Sequence, residues 1–361
     1  MPAADAAIEA LRERIPSSPI LTVPDVTEGY RRDFAKDPDA GRPLAVVRAT
    51  STADVQEVMC WASENAIAVI PRGAGSGLSG GATAVTGGIV LTTELMRDIE
   101  VDPVTRTAVV QPGLLNAEVK KAVAEHGLWY PPDPSSFEIC SIGGNAATNA
   151  GGLCCVKYGV TTDYILGMEV VLADGKAVRL GGPRLKDSAG FSLTKLFVGS
   201  EGTLGIITEV IIRLIPKQAP ASTVVGTFPT VADSTQAILD ITRVMRPAML
   251  EFMDRASIRA VEDVKRMGLD VDAHGMLIAQ SDSPGADCSR EVEFMAEVFR
   301  NNNAADVFTT DDPEEGEAFA AARRFAIPAV ERKGTLLLED VGVPLPALPQ
   351  LIERIEEIAA E

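Results

Sequence analysis

The chain has 361 residues, of which 46% are hydrophobic and 23% charged, with 31 glycines and 23 prolines. This composition is typical of a folded chain of two or three domains with a sizeable apolar core, and it excludes a disordered tail protein. The 51 acidic and 33 basic side chains give a net charge of −18. Such a surface repels phosphate backbones and anionic lipid, so nucleic acid is not an expected partner.

The sequence also indicates where the protein is located in the cell and what chemistry its cysteines support. No run of about 18 apolar residues predicts a membrane-spanning helix, and residues 1–18 lack the basic and apolar parts of a signal peptide. The cysteines include no Cys-x-x-Cys pair, which disfavours a disulfide framework and an iron–sulfur cluster. They are Cys60, Cys140, Cys154, Cys155 and Cys288. We expect a cytoplasmic protein with no metal site and no direct membrane insertion.

Residues 1–42 predict an N-terminal arm, with a helix over 3–15 and then an irregular charged stretch that contains Tyr30 and Asp33. Short strands and helices follow, with Ser51 and Asn116 as the expected helix caps. The strands are predicted over 44–47, 67–70, 89–92, 106–110 and 206–214, and the helices over 51–65 and 116–126. Asp174 and Gly175 predict a hairpin between strands over 168–173 and 176–180.

A change of pattern at residues 216–220 predicts a domain boundary, because the glycine-dense sequence gives way there to regular strands and amphipathic helices. Strands are predicted over 223–228, 249–252, 275–279, 305–308 and 335–339, and helices over 289–301, 313–325 and 348–360. This alternation favours an α+β domain in which helices cover one face of a sheet.

The first glycine-rich segment, PRGAGSGLSGG from Pro71, has Gly75, Gly77 and Gly80 at G-x-G-x-x-G spacing. A Rossmann site is disfavoured, because only residues 82–88 precede the next strand and leave no room for a crossover helix. A Walker-type loop is disfavoured because no Lys and Ser/Thr follow the glycines. A glycine-rich turn remains, or a helix-free nest of N–H groups that binds an anion with Arg72 nearby.

Two further segments are rich in small residues: SIGGNAATNAGG from Ser141 and GSEGTLGI from Gly199. The stiff turn PPDPSS from Pro131 precedes the first of them. Glycine is costly in folded elements, so three such segments favour convergence on one large polar cofactor over three unrelated turns.

These segments resemble those of FAD-binding proteins of the vanillyl-alcohol oxidase type, also called PCMH-type flavoproteins, over residues 30–340. The likeness is greatest to the branch of glycolate oxidase flavoprotein subunits and D-lactate and D-2-hydroxyglutarate dehydrogenases. It implies an FAD-binding domain of two α/β subdomains over 43–217 and part of an FAD-linked oxidase cap for the substrate over 222–361. The implied fold class is α+β.

The resemblance also implies the cofactor site. The segment from Pro71 is similar to a diphosphate loop, the segment from Ser141 and Tyr158 to a flavin-lining stretch, and the segment from Gly199 to one near adenine and ribose. The implied FAD-binding residues are Pro71, Arg72, Gly73, Ala74, Gly75, Ser76, Gly77, Gly80, Pro134, Ser135, Ser141, Gly143, Gly144, Asn145, Gly151, Gly152, Tyr158, Glu201, Gly202 and Ile206. Ser76 stands where some members attach flavin through His, so non-covalent FAD is expected.

Oxidation of a 2-hydroxy acid needs a base for the hydroxyl proton and a cation for the carboxylate. His126 is expected to cap a helix end and His274 to lie at the surface, so no catalytic residue is assigned. Arg323 resembles the family's carboxylate-binding Arg, with a solvated helix charge as the alternative. Gln280 and Leu338 replace an acidic residue and a Lys of relatives, which disfavours a dicarboxylate substrate.

The implied function is FAD-dependent oxidation of glycolate or D-lactate to the 2-oxo acid, with electrons passed to a partner or quinone-linked acceptor. Subunits with iron–sulfur clusters are the expected partners, through which the chain would lie at the inner membrane. Relatives continue past this sequence into a His-rich motif, so a truncated or catalytically silent flavin-binding subunit that acts through protein interactions is the alternative. Reduction of an enolpyruvyl sugar nucleotide by a nicotinamide donor is a third.

Overall fold

The computed structural model describes residues 2–360, which form two compact units. Unit 1 contains the chain up to Gly152 together with Val160–Lys217. Unit 2 contains the short segment Leu153–Gly159 and the chain from Gln218 onward. None of the helices within residues 2–360 has the length and apolar character needed to cross a membrane.

The elements up to Lys217 alternate between short strands and helices. They are α1 (Pro2–Arg14), β1 (Ile20–Leu21), α2 (Pro24–Thr27), β2 (Ala45–Arg48), α3 (Thr52–Asn65), β3 (Val69–Arg72), β4 (Ile89–Thr92), β5 (Ile99–Asp102), β6 (Thr107–Val110), α4 (Asn116–Ala124), β7 (Leu128–Trp129), α5 (Ile142–Thr148), α6 (Cys155–Tyr158), β8 (Ile165–Val171), β9 (Ala177–Gly181), α7 (Thr194–Phe197), β10 (Ile206–Arg213) and β11 (Ile215–Pro216).

The remaining elements belong to unit 2. They are β12 (Ser222–Phe228), α8 (Val231–Val244), β13 (Met249–Asp254), α9 (Arg255–Lys265), β14 (Gly275–Ser281), α10 (Ala286–Asn301), β15 (Asp306–Thr310), α11 (Pro313–Arg324), α12 (Ala326–Glu331) and α13 (Leu348–Ala360).

Unit 1 contains two main sheets. In the first, with strand order β1-β2-β4-β3, strands β2, β4 and β3 are parallel and β1 is antiparallel. Helices α1 and α3 cover it over a core that includes Leu11, Val55, Trp61 and Leu91. The second sheet, β5-β6-β10-β8-β9, is antiparallel throughout. The predicted hairpin is confirmed, since β8 pairs with β9 across the turn at Gly175.

The connection between β3 and β4 differs from the sequence-based expectation. Strands β3 and β4 are parallel neighbours, although residues 73–88 between them contain no helix. A parallel connection needs about a dozen residues, and the glycine-rich segment together with residues 82–88 supplies them. The expected absence of a Rossmann helix is confirmed, and the glycine-rich segment is itself the crossover.

Unit 2 is an antiparallel sheet of order β13-β14-β12-β15. Val224 and Leu277 face the core formed with α8 and α10, while Val225 and Ile278 face the core formed with α9, α11 and α12. Helices therefore cover both faces, and the expectation of one covered face was wrong. The nearly continuous apolar runs of β12 and β14 are typical of strands buried on two sides.

The strand predicted over 335–339 is also absent from the structure, which is irregular there. A short apolar run becomes a strand only where a neighbouring edge pairs with it. Leu337 is instead 80% exposed.

Asp54, in helix α3, connects the N-terminal arm to the part of unit 1 that contains the first sheet. Its carboxylate accepts hydrogen bonds from Ser18 Oγ (2.9 Å) and Thr50 Oγ1 (2.7 Å). Burial raises the pKa of Asp54, but bonds from Thr50, Ser18 and Ser51 outweigh it and leave that pKa below its ordinary value. We expect Asp54→Ala to lower the free energy of unfolding by about 2 kcal/mol at pH 7, because hydrogen bonds to a charged group are lost.

The pH dependence has a definite sign. Since the folded pKa of Asp54 is lowered, its contribution is present above the unfolded pKa of about 3.9 and is lost as the pH falls through the folded value. Urea unfolding at several pH values measures this. The exposed Glu57 on the same helix gives the control, and Glu57→Ala should change stability by less than about 0.5 kcal/mol. If the difference in the free energy of unfolding between wild type and Asp54→Ala grows as the pH falls, the stabilising role of the Asp54 carboxylate is contradicted.

Candidate cofactor site

The three segments rich in small residues meet in unit 1. A Cβ placed on Gly73 would lie 2.5 Å from Ser141 Oγ, and one on Gly202 would lie 2.3 Å from Pro71 Cγ. Because both glycines lack a side chain, their main chains can lie directly against the side chains of Ser141 and Pro71. The segments predicted to share one ligand are therefore neighbours in space.

Main-chain hydrogen bonds join the second and third segments. Gly199 N donates to Ala146 O at 3.0 Å, and Glu201 N donates to Ala147 O at 2.8 Å. Glu201 adopts a left-handed φ of 50°, which sets its carboxylate beside Gly81 of the first segment. The bend at residues 199–206 is thus held against both other segments.

The glycine loop, defined here as residues 71–81, begins at the end of β3. Gly75 and Gly80 have φ values of 75° and 80°, which favour glycine. A Cβ on Gly77 would meet nothing closer than Asp33 Oδ2 at 4.0 Å. The loop is therefore folded back at Gly75 and Gly80, with its inner side toward the arm, and it leaves space for a side chain at Gly77.

Arg72 lies on the inner side of this loop. Its Nη1 donates to Arg32 O at 3.0 Å, with longer contacts of 3.5 Å to Tyr30 O and Ala82 O. Burial lowers the pKa of the Arg72 guanidinium. The side chain ties the two ends of the loop to the arm, and its predicted contact with a diphosphate stays a prediction.

Helix α5 carries the predicted flavin-lining residues Gly143, Gly144 and Asn145. Ser141 caps it, since its Oγ accepts a hydrogen bond from Gly144 N at 3.3 Å. Asn145 Oδ1 accepts from Asn116 Nδ2 at 3.0 Å in the interior. This hydrogen bond attaches helix α5 to helix α4.

The expected cap at Asn116 was wrong. Leu115 precedes α4, and Glu118 accepts its N–H at 3.0 Å. A glutamate three residues into the helix competes for the capping role, which frees the Asn116 side chain to turn inward. His126 lies exposed beyond the end of α4 at Ala124 rather than capping it.

The other predicted cofactor residues of unit 1 differ in accessibility. Pro134 is buried in a turn closed by Phe137 N, while Ser135 is exposed. Gly152 packs against the main chain of Asp133. Ile206 is 4% exposed within the apolar core, so its side chain supports β10.

Tyr158 belongs to unit 2. Its hydroxyl donates to Asp282 Oδ2, and Lys157 Nζ forms an ion pair with Asp282 Oδ1. Asp282 directly follows β14 and is 7% exposed. Sequence reasoning missed Asp282, because an acid after a strand carries no signal of its partners. The predicted place of Tyr158 beside the flavin stays a prediction.

Arg323 forms an ion pair within unit 2, with Nε 2.9 Å from Glu251 Oε2. Its side chain is 30% exposed. The alternative of a fully solvated helix charge does not describe this partly buried residue. Gln280 donates to Thr223 Oγ1 at 3.0 Å on the neighbouring strand.

The second histidine offers no acid–base pair. His274 is partly buried, with Nε2 3.3 Å from Arg255 Nη1, so the expected surface position is only partly accurate. Within residues 2–360, His, Cys, Asp and Glu form no group of three that could hold a metal.

The residues of unit 1 fit a large anionic cofactor. The three small-residue segments lie in direct contact through their glycines, and the glycine loop leaves space at Gly77. Arg72, the cation that the sequence singled out at the loop, donates to the arm, so a bound diphosphate would depend on main-chain N–H groups arranged as a nest. Such a nest suits a diphosphate.

Comparisons with known proteins agree with this geometry. The family described as FAD binding domain matches residues 43–181, and FAD linked oxidases, C-terminal domain, matches residues 217–361. Glycolate oxidase subunit GlcD of Bacillus subtilis (strain 168) is 40% identical over 88% of this chain and 68% of its own length. D-lactate dehydrogenase of Archaeoglobus fulgidus is 33% identical over 95% of this chain and 77% of its own length.

Solved structures show the same fold. The structure of p-cresol methylhydroxylase with substrate bound has a TM-score of 0.76 and 19% identity, over 90% of this chain and 71% of that one. An alkyldihydroxyacetonephosphate synthase gives 0.72 and 21%, over 92% and 64%. The class is a PCMH-type flavoprotein of α+β fold, as predicted. The chain belongs to the FAD-linked oxidase family, and its cofactor is FAD.

Gly77 gives a test that separates ligand contact from folding. The nearest protein atom to a Cβ there is Asp33 Oδ2 at 4.0 Å, and the φ of Gly77 is not positive. We expect Gly77→Ala to leave the melting temperature of the unliganded chain unchanged and to weaken FAD binding by about tenfold, a cost of about 1.4 kcal/mol from the space taken at the loop. Fluorescence titration with FAD measures the affinity.

The control is Gly334→Ala in unit 2, since Gly334 has no atom within 4 Å of a built Cβ. It should bind FAD as the wild type does. Equal FAD affinity for Gly77→Ala and wild type would exclude the space at Gly77 as the cofactor surface.

Proposed function

We propose that this chain oxidises a small D-2-hydroxy acid, glycolate or D-lactate, to the 2-oxo acid with non-covalently bound FAD. The observation that carries the proposal is the convergence of three small-residue segments into one main-chain site in unit 1. Relatives of up to 40% identity, named as glycolate oxidase subunits and D-lactate dehydrogenases, support the substrate class.

The glycine loop would hold the diphosphate of FAD. Its main-chain N–H groups are strong donors that lose little entropy on binding when the loop is already folded. The α5 segment and the bend at residues 199–206 would hold the flavin and adenosine portions. FAD, when bound, supplies the acceptor for the hydride that leaves the hydroxyl-bearing carbon.

Arg323 would bind the substrate carboxylate. A guanidinium can form two parallel hydrogen bonds to a carboxylate, and the contact with Glu251 restricts its orientation. Because Arg323 Nε makes no hydrogen bond of good geometry within the described residues, the contact with Glu251 is an ion pair only. The other guanidinium nitrogens are the ones assigned to the substrate.

Electrons would leave through another subunit or a quinone-linked acceptor. The Bacillus and Escherichia coli relatives are named as subunits, which supports a partner. In the part of the chain that the structure describes, none of the five cysteines forms a disulfide and none joins a group that could bind a metal. A partner that carries iron–sulfur clusters would complete the electron path.

A catalytically silent flavin-binding subunit is the alternative. The observation that favours it is the position of the histidines, because His126 is exposed at a helix end and His274 contacts Arg255. Anaerobic mixing of the FAD-loaded chain with glycolate, D-lactate or L-lactate separates the two. Bleaching of the flavin by glycolate or D-lactate supports the oxidase, whereas oxidised flavin with every acid supports the silent subunit. Bleaching by NADPH alone would indicate a reductase.

Arg323 gives the matching mutational test. Arg323→Gln should raise the substrate concentration for half-maximal flavin reduction by roughly 10- to 100-fold, because charge-assisted hydrogen bonds of about 1.5–3 kcal/mol are lost. Arg323→Lys, which keeps the charge, should lose less. FAD content should stay at the wild-type level, because unit 1 contains the cofactor segments.

The neighbouring Arg324, paired with Glu317, provides the matched control. In Arg324→Gln, half-maximal flavin reduction should need the same substrate concentration as in the wild type. Two results would show that Arg323 does not bind the carboxylate. Either both Gln variants raise the substrate concentration for half-maximal flavin reduction equally, or Arg323→Gln leaves it at the wild-type value.

A further inference from the structure

The N-terminal arm contributes an acid to the inner side of the glycine loop. Asp33 is 6% exposed, and its Oδ2 accepts from Ala82 N at 3.2 Å. Its Oδ1 lies 3.4 Å from Thr83 Oγ1 and accepts from Ala35 N at 3.1 Å. One carboxylate thus joins the arm to the segment that leaves the loop.

Main-chain bonds on both sides of Asp33 strengthen this connection. Phe34 N donates to Gly77 O at 3.1 Å, and Ala84 N donates to Arg31 O at 2.9 Å. Together with Asp33 they attach the arm to the middle of the loop and to the chain just beyond it. The arm therefore holds the glycine loop in place through hydrogen bonds to its middle and to the residues that follow it.

The charges at the inner side are balanced. Asp33 raises the pKa of Arg72, which opposes the lowering by burial, and Arg72 donates to Arg32 O beside it. A buried carboxylate is tolerated only where charge and hydrogen bonds compensate it. Asp33 and Arg72 therefore offset each other's charge at the inner side of the loop.

We propose that Asp33 is a positioning residue for FAD, which rests on the assignment of the glycine loop to the cofactor. The carboxylate fixes the loop in its binding conformation before the cofactor arrives. Five glycines between residues 71 and 81 make the free loop flexible, so ordering it on binding would cost affinity. Asp33 lowers that cost without touching the ligand.

The experiment compares Asp33→Ala and Asp33→Asn with Asp39→Ala, which alters an exposed acid of the same arm. FAD affinity is measured by fluorescence titration of the full chain. We expect Asp33→Ala to bind FAD at least about tenfold more weakly, since it loses the acceptor of Ala82 N and Thr83 Oγ1, the two donors that directly follow the loop. Asp33→Asn keeps one acceptor oxygen, so its FAD affinity should lie between those of Asp33→Ala and the wild type. The FAD affinity of Asp39→Ala should equal that of the wild type.

Amide hydrogen exchange of the unliganded variants distinguishes positioning from general stability. Faster exchange confined to residues 77–84 in Asp33→Asn supports the proposal, and this reading remains available if Asp33→Ala does not fold. Wild-type FAD affinity in both Asp33 variants, or faster exchange throughout unit 1, overturns it. Failure of hydroxy acids to reduce wild-type FAD would contradict the proposed function and leave this affinity difference intact.

Discussion

The rest of the site depends on one constraint: the glycine loop must keep one conformation although residues 73–88 contain no helix. In a nucleotide site at a helix N-terminus, the helix orients the donors. Here the parallel strands β3 and β4 are joined by residues 73–88 without a helix, so other parts of the chain must fix the loop. Arg72, Asp33 and the main chain of the arm provide that support from the inner side.

The close contacts among the three segments follow from the same constraint. Ser141 touches Gly73, and Pro71 touches Gly202, at distances that leave no room for a Cβ. Glycine at these positions lets the Ser141 and Pro71 side chains lie against the main chain of another segment, and Gly202 also has a left-handed φ of 76°. The helix α5 is in turn fixed by the buried pair of Asn116 and Asn145, which connects it to α4. A planar cofactor laid on such segments would meet a surface whose shape is already set.

Much of this architecture could be predicted from local sequence. The hairpin at Gly175 and the helix capped by Ser51 have short-range signals, and the structure confirms both. What the sequence could not show were partners distant along the chain. Asp33 and Asp282 are ordinary acids in the sequence, and only folding brings them to Ala82 and to Tyr158. The predicted strand at 335–339 failed for the same reason, since strand formation depends on a neighbouring edge.

The most direct test of the account is a binding titration of the unliganded chain with FAD and FMN, with ADP and AMP as competitors. A site built around a diphosphate predicts saturable binding of one FAD per chain, binding of FMN weaker by at least about tenfold, and displacement of FAD by ADP at lower concentration than by AMP. Equal binding of FAD and FMN, or no uptake of FAD by the folded chain, would contradict the claim that main-chain donors in the glycine loop hold the cofactor.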